Sequence, residues 1–212
     1  LAPNAPDYVY RPKTDGRPVT IVWPIYDGDW RRFNCRDMLV RVSKFLAKVV
    51  GAYELRIVLS SSDIPTEFVR TIMGWARRYP FVTVRTIRNI LWRELQYHGA
   101  DVMLWPSTVE NAMLRGLYAY SHGISIVGVM ANPMSELLAV NPHLAVAAPK
   151  TECDRHGYPA GVSSDIIHPA MLSRLLSIVQ SPAILAEANA NVSRFVAARH
   201  KSFSSTMTKL FS

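Results

Sequence analysis

The chain has 212 residues, and its 24 Lys+Arg against 16 Asp+Glu leave a formal net charge of +8. With 49% hydrophobic and only 19% charged residues it is too apolar to be disordered, and it is long enough to bury a substantial core as one large domain. No apolar run reaches the ~18–20 residues of a membrane span. The opening Leu1-Ala2-Pro3-Asn4-Ala5-Pro6 has neither the basic nor the apolar region of a signal peptide.

Two cysteines, Cys35 and Cys153, are too few for a disulfide framework or a structural zinc site, so a reduced, cytoplasmic setting is expected. A first residue other than Met leads us to expect a fragment or a processed chain. The excess of positive charge points to an anionic partner: nucleic acid, an anionic membrane surface or a phosphorylated small molecule. The basic residues are scattered, as in Arg31-Arg32, Arg41, Arg77-Arg78 and Lys201, without a compact block or a nucleic-acid-binding signature, so nucleic acid is the weakest of these.

Residues 1–17 carry Pro3, Pro6 and Pro12 and read as a linker, and residues 18–212 read as a single domain. Val19–Trp23 is a near-continuous apolar strand of the kind found in parallel sheets covered on both faces, followed by a turn at Tyr26–Asp29. From about Asn34 to Val50, Met38, Leu39, Val42, Phe45, Leu46 and Val49 recur at helical intervals. Leu55–Leu59 is a second strand, and Pro65 suits the first turn of a helix that places Phe68, Ile72 and Trp75 on one side. Phe81–Val84 is a strand, Trp92–His98 a short helix and Asp101–Trp105 a strand. The helix from Glu110 to His122 is expected to stop at Gly123. Ile124–Val129 is a strand, Ser135–Val140 a short helix and Leu144–Ala147 a last strand. Pro149–His168 reads as a long loop, and Ala170–Ser212 as helix interrupted at Ser181-Pro182. Strand–helix alternation with short connections predicts a doubly wound, Rossmann-like parallel sheet of about six strands.

In such a sheet, ligands bind beyond the carboxyl ends of the strands. The loop Pro106-Ser107-Thr108-Val109-Glu110 runs from a strand straight into a helix, so free backbone N–H groups there favour an anion; Ser107 or Thr108 as a plain helix cap is the competing reading. The six histidines never pair at i, i+4, and Cys153-Asp154-Arg155-His156 lacks partners, so no metal site is expected. Hydrolase, NTPase and dinucleotide motifs are absent. Asn191-Val192-Ser193 has the form of a glycosylation sequon but falls in a helical stretch. Trp23, Trp75, Trp92 and Trp105 fit core positions, whereas Trp30 falls in a strand-end loop.

Ala100-Asp101-Val102-Met103-Leu104-Trp105-Pro106-Ser107, Glu110 and Gly116 through Val127 resemble the C-terminal, nucleotide-sugar-binding domain of retaining GT-B glycosyltransferases. So do Asn132-Pro133-Met134-Ser135-Glu136-Leu137-Leu138 and the linker-like Pro3–Pro12. The resemblance runs over almost the whole chain. It implies that Glu110 faces the donor sugar as the catalytic-site carboxylate, and that Asn111, Ala112 and Met113 stand where a Gly-x-Gly stretch approaches the phosphates. Ser107 opens that loop, Arg32 stands near the position of a phosphate-binding lysine, and Arg88 lies in the segment flanking the base.

Tyr118 occupies the position of a ribose-binding glutamate. It cannot accept two ribose hydroxyls as a carboxylate does, and side chains in the Gly-x-Gly stretch crowd the phosphate approach. The implied function is donor binding for sugar transfer to an unspecified acceptor, with no metal or other cofactor. The acceptor site would lie on an N-terminal GT-B domain outside this chain. The alternative is a GT-B-like interaction module that has lost donor binding. A peripheral position at an anionic membrane is a further expectation from the charge.

Overall fold

The apolar runs become strands because helices cover both faces of the sheet they form. The computed structural model describes residues 17–26, 35–48, 53–60, 64–86, 99–106, 114–130, 134–147 and 164–211. Their elements are β1 (Val19–Tyr26), α1 (Cys35–Leu46), β2 (Tyr53–Ser60), α2 (Thr66–Arg78), β3 (Val82–Thr86), β4 (Val102–Trp105) and α3 (Leu114–Ser121). These are followed by β5 (Ser125–Met130), α4 (Ser135–Leu138), a 3-10 turn (Pro142–Leu144), β6 (Ala145–Ala147), α5 (Ser164–Gln180) and α6 (Pro182–Phe211). The six strands make one parallel sheet in the order β3-β2-β1-β4-β5-β6. This is the doubly wound order, so the α/β, Rossmann-like expectation is met.

Alternate residues of each strand serve opposite layers. On one face, Ile21, Trp23, Leu55, Ile57, Val102 and Leu104 pack under Met38, Leu39 and Val42 of α1, Phe68 and Ile72 of α2, and Met171 and Leu175 of α5. On the other, Val22, Val58, Met103, Trp105 and Ile126 pack under Ala119 and Tyr120 of α3, Leu137 and Leu138 of α4, and Val192 of α6. Each fully buried aliphatic side chain contributes roughly 1.5–3 kcal/mol. Among the described residues no single helix is long and apolar enough to cross a membrane.

The helix ends follow their cap residues. Gly123 takes φ 68° after α3, where its N–H donates to the Tyr120 carbonyl at 2.9 Å and the Ile124 N–H to the Ala119 carbonyl at 3.0 Å. These two bonds form a Schellman stop at the glycine expected to supply it. Pro182 opens α6, the Ser181 hydroxyl accepts the Ile184 N–H at 3.4 Å, and α5 and α6 meet at 103°. At the end of α1 the Leu46 carbonyl accepts the Tyr53 hydroxyl. The helix stops there, with a turn over Ala47 and Lys48, short of the expected Val50.

Several expected boundaries move. β1 runs through Pro24 to Tyr26, so Tyr26 is strand where a turn was expected, and β3 takes in Arg85 and Thr86. α4 ends at Leu138 and not Val140, because Ala139 and Val140 bond back as a closing turn. α5 begins at Ser164, inside the stretch read as loop. Pro169 lies within it and removes one backbone donor without ending the helix. The expected helix Trp92–His98 lies outside the described residues.

Candidate functional site

Strand order reverses between β1 and β4, and the two strands are joined along only part of their length. At the amino end the Asp101 N–H donates to the Thr20 carbonyl at 2.9 Å, and the Thr20 N–H donates to the Asp101 carboxylate at 2.7 Å. The register then continues through Ile21↔Val102 and Val22↔Met103 and stops. Two residues later comes Pro24, which has no N–H to give to a ladder. Beyond that point β1 pairs only with β2, up to Tyr26↔Ser60, while β4 pairs only with β5, up to Trp105↔Gly128. Hydrogen-bonded pairing across the reversal is thus confined to the amino ends of the two strands, and the carboxyl edge at that reversal is where a doubly wound sheet offers a ligand its crevice. Asp101, 1% exposed, belongs to the paired amino end.

The β4 side of that edge is built by close packing. Trp105 ends the strand and is 2% exposed, its indole Nε1 has no hydrogen-bond partner among the described residues, and the Arg115 guanidinium lies 5.0 Å from its ring centroid. Across the register, a Cβ on Gly128 would come within 3.2 Å of the Trp105 carbonyl, so the glycine admits the strand at that distance. On α3 a Cβ at Gly116 would meet Leu137 Cδ1 at 2.6 Å. Glycine there lets α3 settle onto α4, which sets the height of Arg115 and Tyr118.

Tyr118 is 42% exposed on α3, one turn beyond Arg115. Its backbone carbonyl accepts the Ser121 hydroxyl at 2.8 Å, and His122 Nδ1 lies 2.9 Å from the same oxygen, which calls for a proton on Nδ1. Of the donor-site residues expected from the sequence, Tyr118 is the one the structure describes. Arg32, Arg88, Ser107, Glu110, Asn111, Ala112 and Met113 lie outside the described residues, as do Trp30, Cys153 and His156. Arg115 over Trp105 was not anticipated. The signal available was its spacing of three from Tyr118, which puts both on one stripe of the helix.

A second polar group lies on the sheet itself. Glu54 accepts hydrogen bonds from Thr83 at 2.6 Å, Arg56 at 3.3 Å and Thr20 at 3.4 Å. Burial alone would raise its pKa, but the Thr83 bond and the Arg56 charge outweigh it and hold the carboxyl below its ordinary value. The group lies toward the amino ends of β1 and β2, away from the carboxyl edge of the sheet.

No protein-family profile and no curated protein matches the sequence. Solved structures do match the fold. The C-terminal domain of a glycosyl transferase group 1 family protein, LpcC, from Francisella tularensis aligns with TM-score 0.55 and 13% identity over 87% of this chain and 86% of that one. This chain has the fold of a GT-B glycosyltransferase C-terminal domain. S. aureus TarM, solved with fondaparinux, α-GlcNAc-glycerol and UDP, aligns with TM-score 0.60 and 14% identity over 96% of this chain. The pneumococcal O-GlcNAc transferase GtfA, solved with UDP and GlcNAc, aligns with TM-score 0.56 and 15% identity over 93% of this chain. The chain spans only 37% of the length of either protein. Identities this low carry the fold and not the residues of the site.

Proposed function

We propose that this GT-B domain is the nucleotide-sugar-binding half of a retaining glycosyltransferase. The observation that supports the reading best is the reversal of strand order between β1 and β4, paired at Asp101, unpaired from Pro24 onward, and followed by α3 beyond β4. TarM and GtfA, part of which this chain matches in fold, have been solved in complex with UDP.

In this reading the donor diphosphate rests at the loop Ser107–Met113, where Asn111, Ala112 and Met113 present backbone N–H groups and Arg32 adds a guanidinium. As the bond from the anomeric carbon to the diphosphate breaks, negative charge grows on the leaving oxygen. Those fixed donors stabilise it without a divalent ion. Glu110 faces the sugar and offsets the positive charge growing at the anomeric carbon. Arg88 flanks the base, and Tyr118 offers one hydroxyl to the ribose. The acceptor is held by a preceding domain, so this chain by itself binds donor and transfers little.

Calorimetric titration of the chain with UDP, GDP and their sugars tests the reading, and binding that persists in EDTA is expected. Tyr118→Glu restores two acceptors for the ribose and is expected to tighten nucleotide binding about tenfold, the worth of one or two added hydrogen bonds. In a protein that also carries the acceptor domain, Glu110→Gln is expected to lower turnover by roughly 10²-fold with little change in melting temperature. The exposed phenol of Tyr118 in place of a carboxylate favours a second reading, an interaction module without donor binding. Absence of nucleotide binding in both the native chain and Tyr118→Glu would establish that reading.

A further inference from the structure

The helices on the two faces of the sheet differ in charge. In the layer formed by α1, α2 and α5, the exposed side chains include Lys44, Lys48 just past the end of α1, Arg70, Arg77, Arg78 and Arg174. Among the described side chains of that layer the only acidic one is Glu67. On the opposite layer Arg199 pairs with Glu136, Arg194 donates to Asn191, and the exposed side chains include a second carboxylate, Glu187, as well as Lys201.

The charged layer also carries apolar tips. Met73 stands 42% exposed between Arg70 and Arg77 on α2. At the end of that helix, Trp75 and Tyr79 stack with ring centroids 5.2 Å apart, and Arg78 lies 5.7 Å from the Tyr79 centroid.

We infer that the α1–α2–α5 layer is a docking face for an anionic lipid bilayer. A bilayer presents a broad plane of negative charge, and this layer spreads its cations over neighbouring helices of one plane instead of concentrating them in a groove. Cations near such a plane add their attractions, and an exposed methionine with half-buried tryptophan and tyrosine suits the headgroup region. A single-stranded nucleic acid would need free ring faces for its bases. Here Trp75 covers one face of Tyr79, and Tyr79 also packs against Phe81 at 5.6 Å.

The inference is independent of donor binding and is tested without nucleotide. The chain is floated with vesicles of pure phosphatidylcholine and with vesicles containing about 30% phosphatidylglycerol, at about 0.1 M salt. Binding to the second alone is expected. Replacing Lys44, Lys48, Arg70 and Arg77 together by serine is expected to weaken it by about two orders of magnitude or more, near fivefold per cation, with the melting temperature held. Arg194→Ser with Lys201→Ser, on the opposite layer, is the control and is expected to leave binding unchanged. No binding to anionic vesicles overturns the inference, as does equal loss in the control. So does a chain that binds duplex DNA through these residues while ignoring the vesicles.

Discussion

Asn189 on α6 is fully buried and ties that helix to two strands. Its side-chain oxygen accepts the Ser125 N–H at 2.9 Å and the Ser125 hydroxyl at 2.6 Å, and its amide donates to the Asp101 carbonyl at 3.1 Å. Asn189→Ala removes all of these bonds at once. The Ser125 hydroxyl can turn to another acceptor, but the Ser125 N–H and the Asp101 carbonyl are backbone groups in a buried layer and cannot move. At about 1 kcal/mol for each neutral bond and about 1–3 kcal/mol for a buried group left orphaned, the loss comes to about 3–5 kcal/mol. Urea unfolding followed by the fluorescence of the buried Trp23 and Trp105 reads it directly. For an m-value of about 2 kcal/mol/M the midpoint falls by roughly 1.5–2.5 M. Ser125→Ala deletes only the hydroxyl bond and is expected to cost about 1 kcal/mol. In the Ser125→Ala background the Asn189→Ala loss should be smaller, since the two residues share a bond. A loss below about 1 kcal/mol with an unchanged m-value would refute the reasoning, because it would mean that the layer supplies other partners to those backbone groups.

Gly74 sits in the interior of α2 with open space where a Cβ would go, so Gly74→Ala should raise stability by about 0.5–1 kcal/mol and the melting temperature by about 2 °C. Gly116→Ala gains the same helix propensity but drives a methyl into Leu137, and calorimetry should show a net loss of about 1 kcal/mol or more. The depressed pKa of Glu54 means its stabilisation is present above the ordinary carboxylate value and is lost as pH falls through the lower folded value. Unfolding midpoints below about pH 4.5 should therefore fall more steeply in the native chain than in Glu54→Gln. Burial raises the pKa of the Tyr120 phenol, which donates to the Leu137 carbonyl at 2.6 Å, so its contribution is fully present below the ordinary tyrosine value and is lost as pH rises from there through the raised value. Tyr120→Phe should cost about 1 kcal/mol at neutral pH, measured by urea unfolding.

The parts of the fold that local chemistry decides were legible in the sequence. The inner residues of β1, β2, β4 and β5 are continuous apolar runs because both faces are covered, and Gly123 and Ser181-Pro182 mark helix ends by their own conformational preferences. What was not legible depends on distant partners. Pro24 would end most strands, but β1 continues because β2 alone holds its carboxyl half. Arg56 in an apolar run is explained only by Glu54 and the threonines of neighbouring strands around it. Asp101 looked like part of a functional motif, but its carboxylate accepts a β1 amide across the reversal in strand order. At the site, the spacing of the motif located α3 and Tyr118, while the approach of Arg115 to Trp105 needed the strand end and the helix in place together.

The reversal between β1 and β4 is also the thinnest backbone seam of the sheet. Eight register pairs join β1 to β2, five β2 to β3, four β4 to β5 and three β5 to β6, whereas two join β1 to β4. Side chains of both cores bridge the seam, so its opening breaks few backbone bonds and costs chiefly the apolar area buried across it. A molecule gripped by both halves adds its binding energy to the cost of that opening, and one held by a single half adds nothing to it. Hydrogen exchange of the Thr20 and Asp101 amides, whose bonds cross the seam, with and without a bound ligand, therefore distinguishes a bridging ligand from a one-sided one.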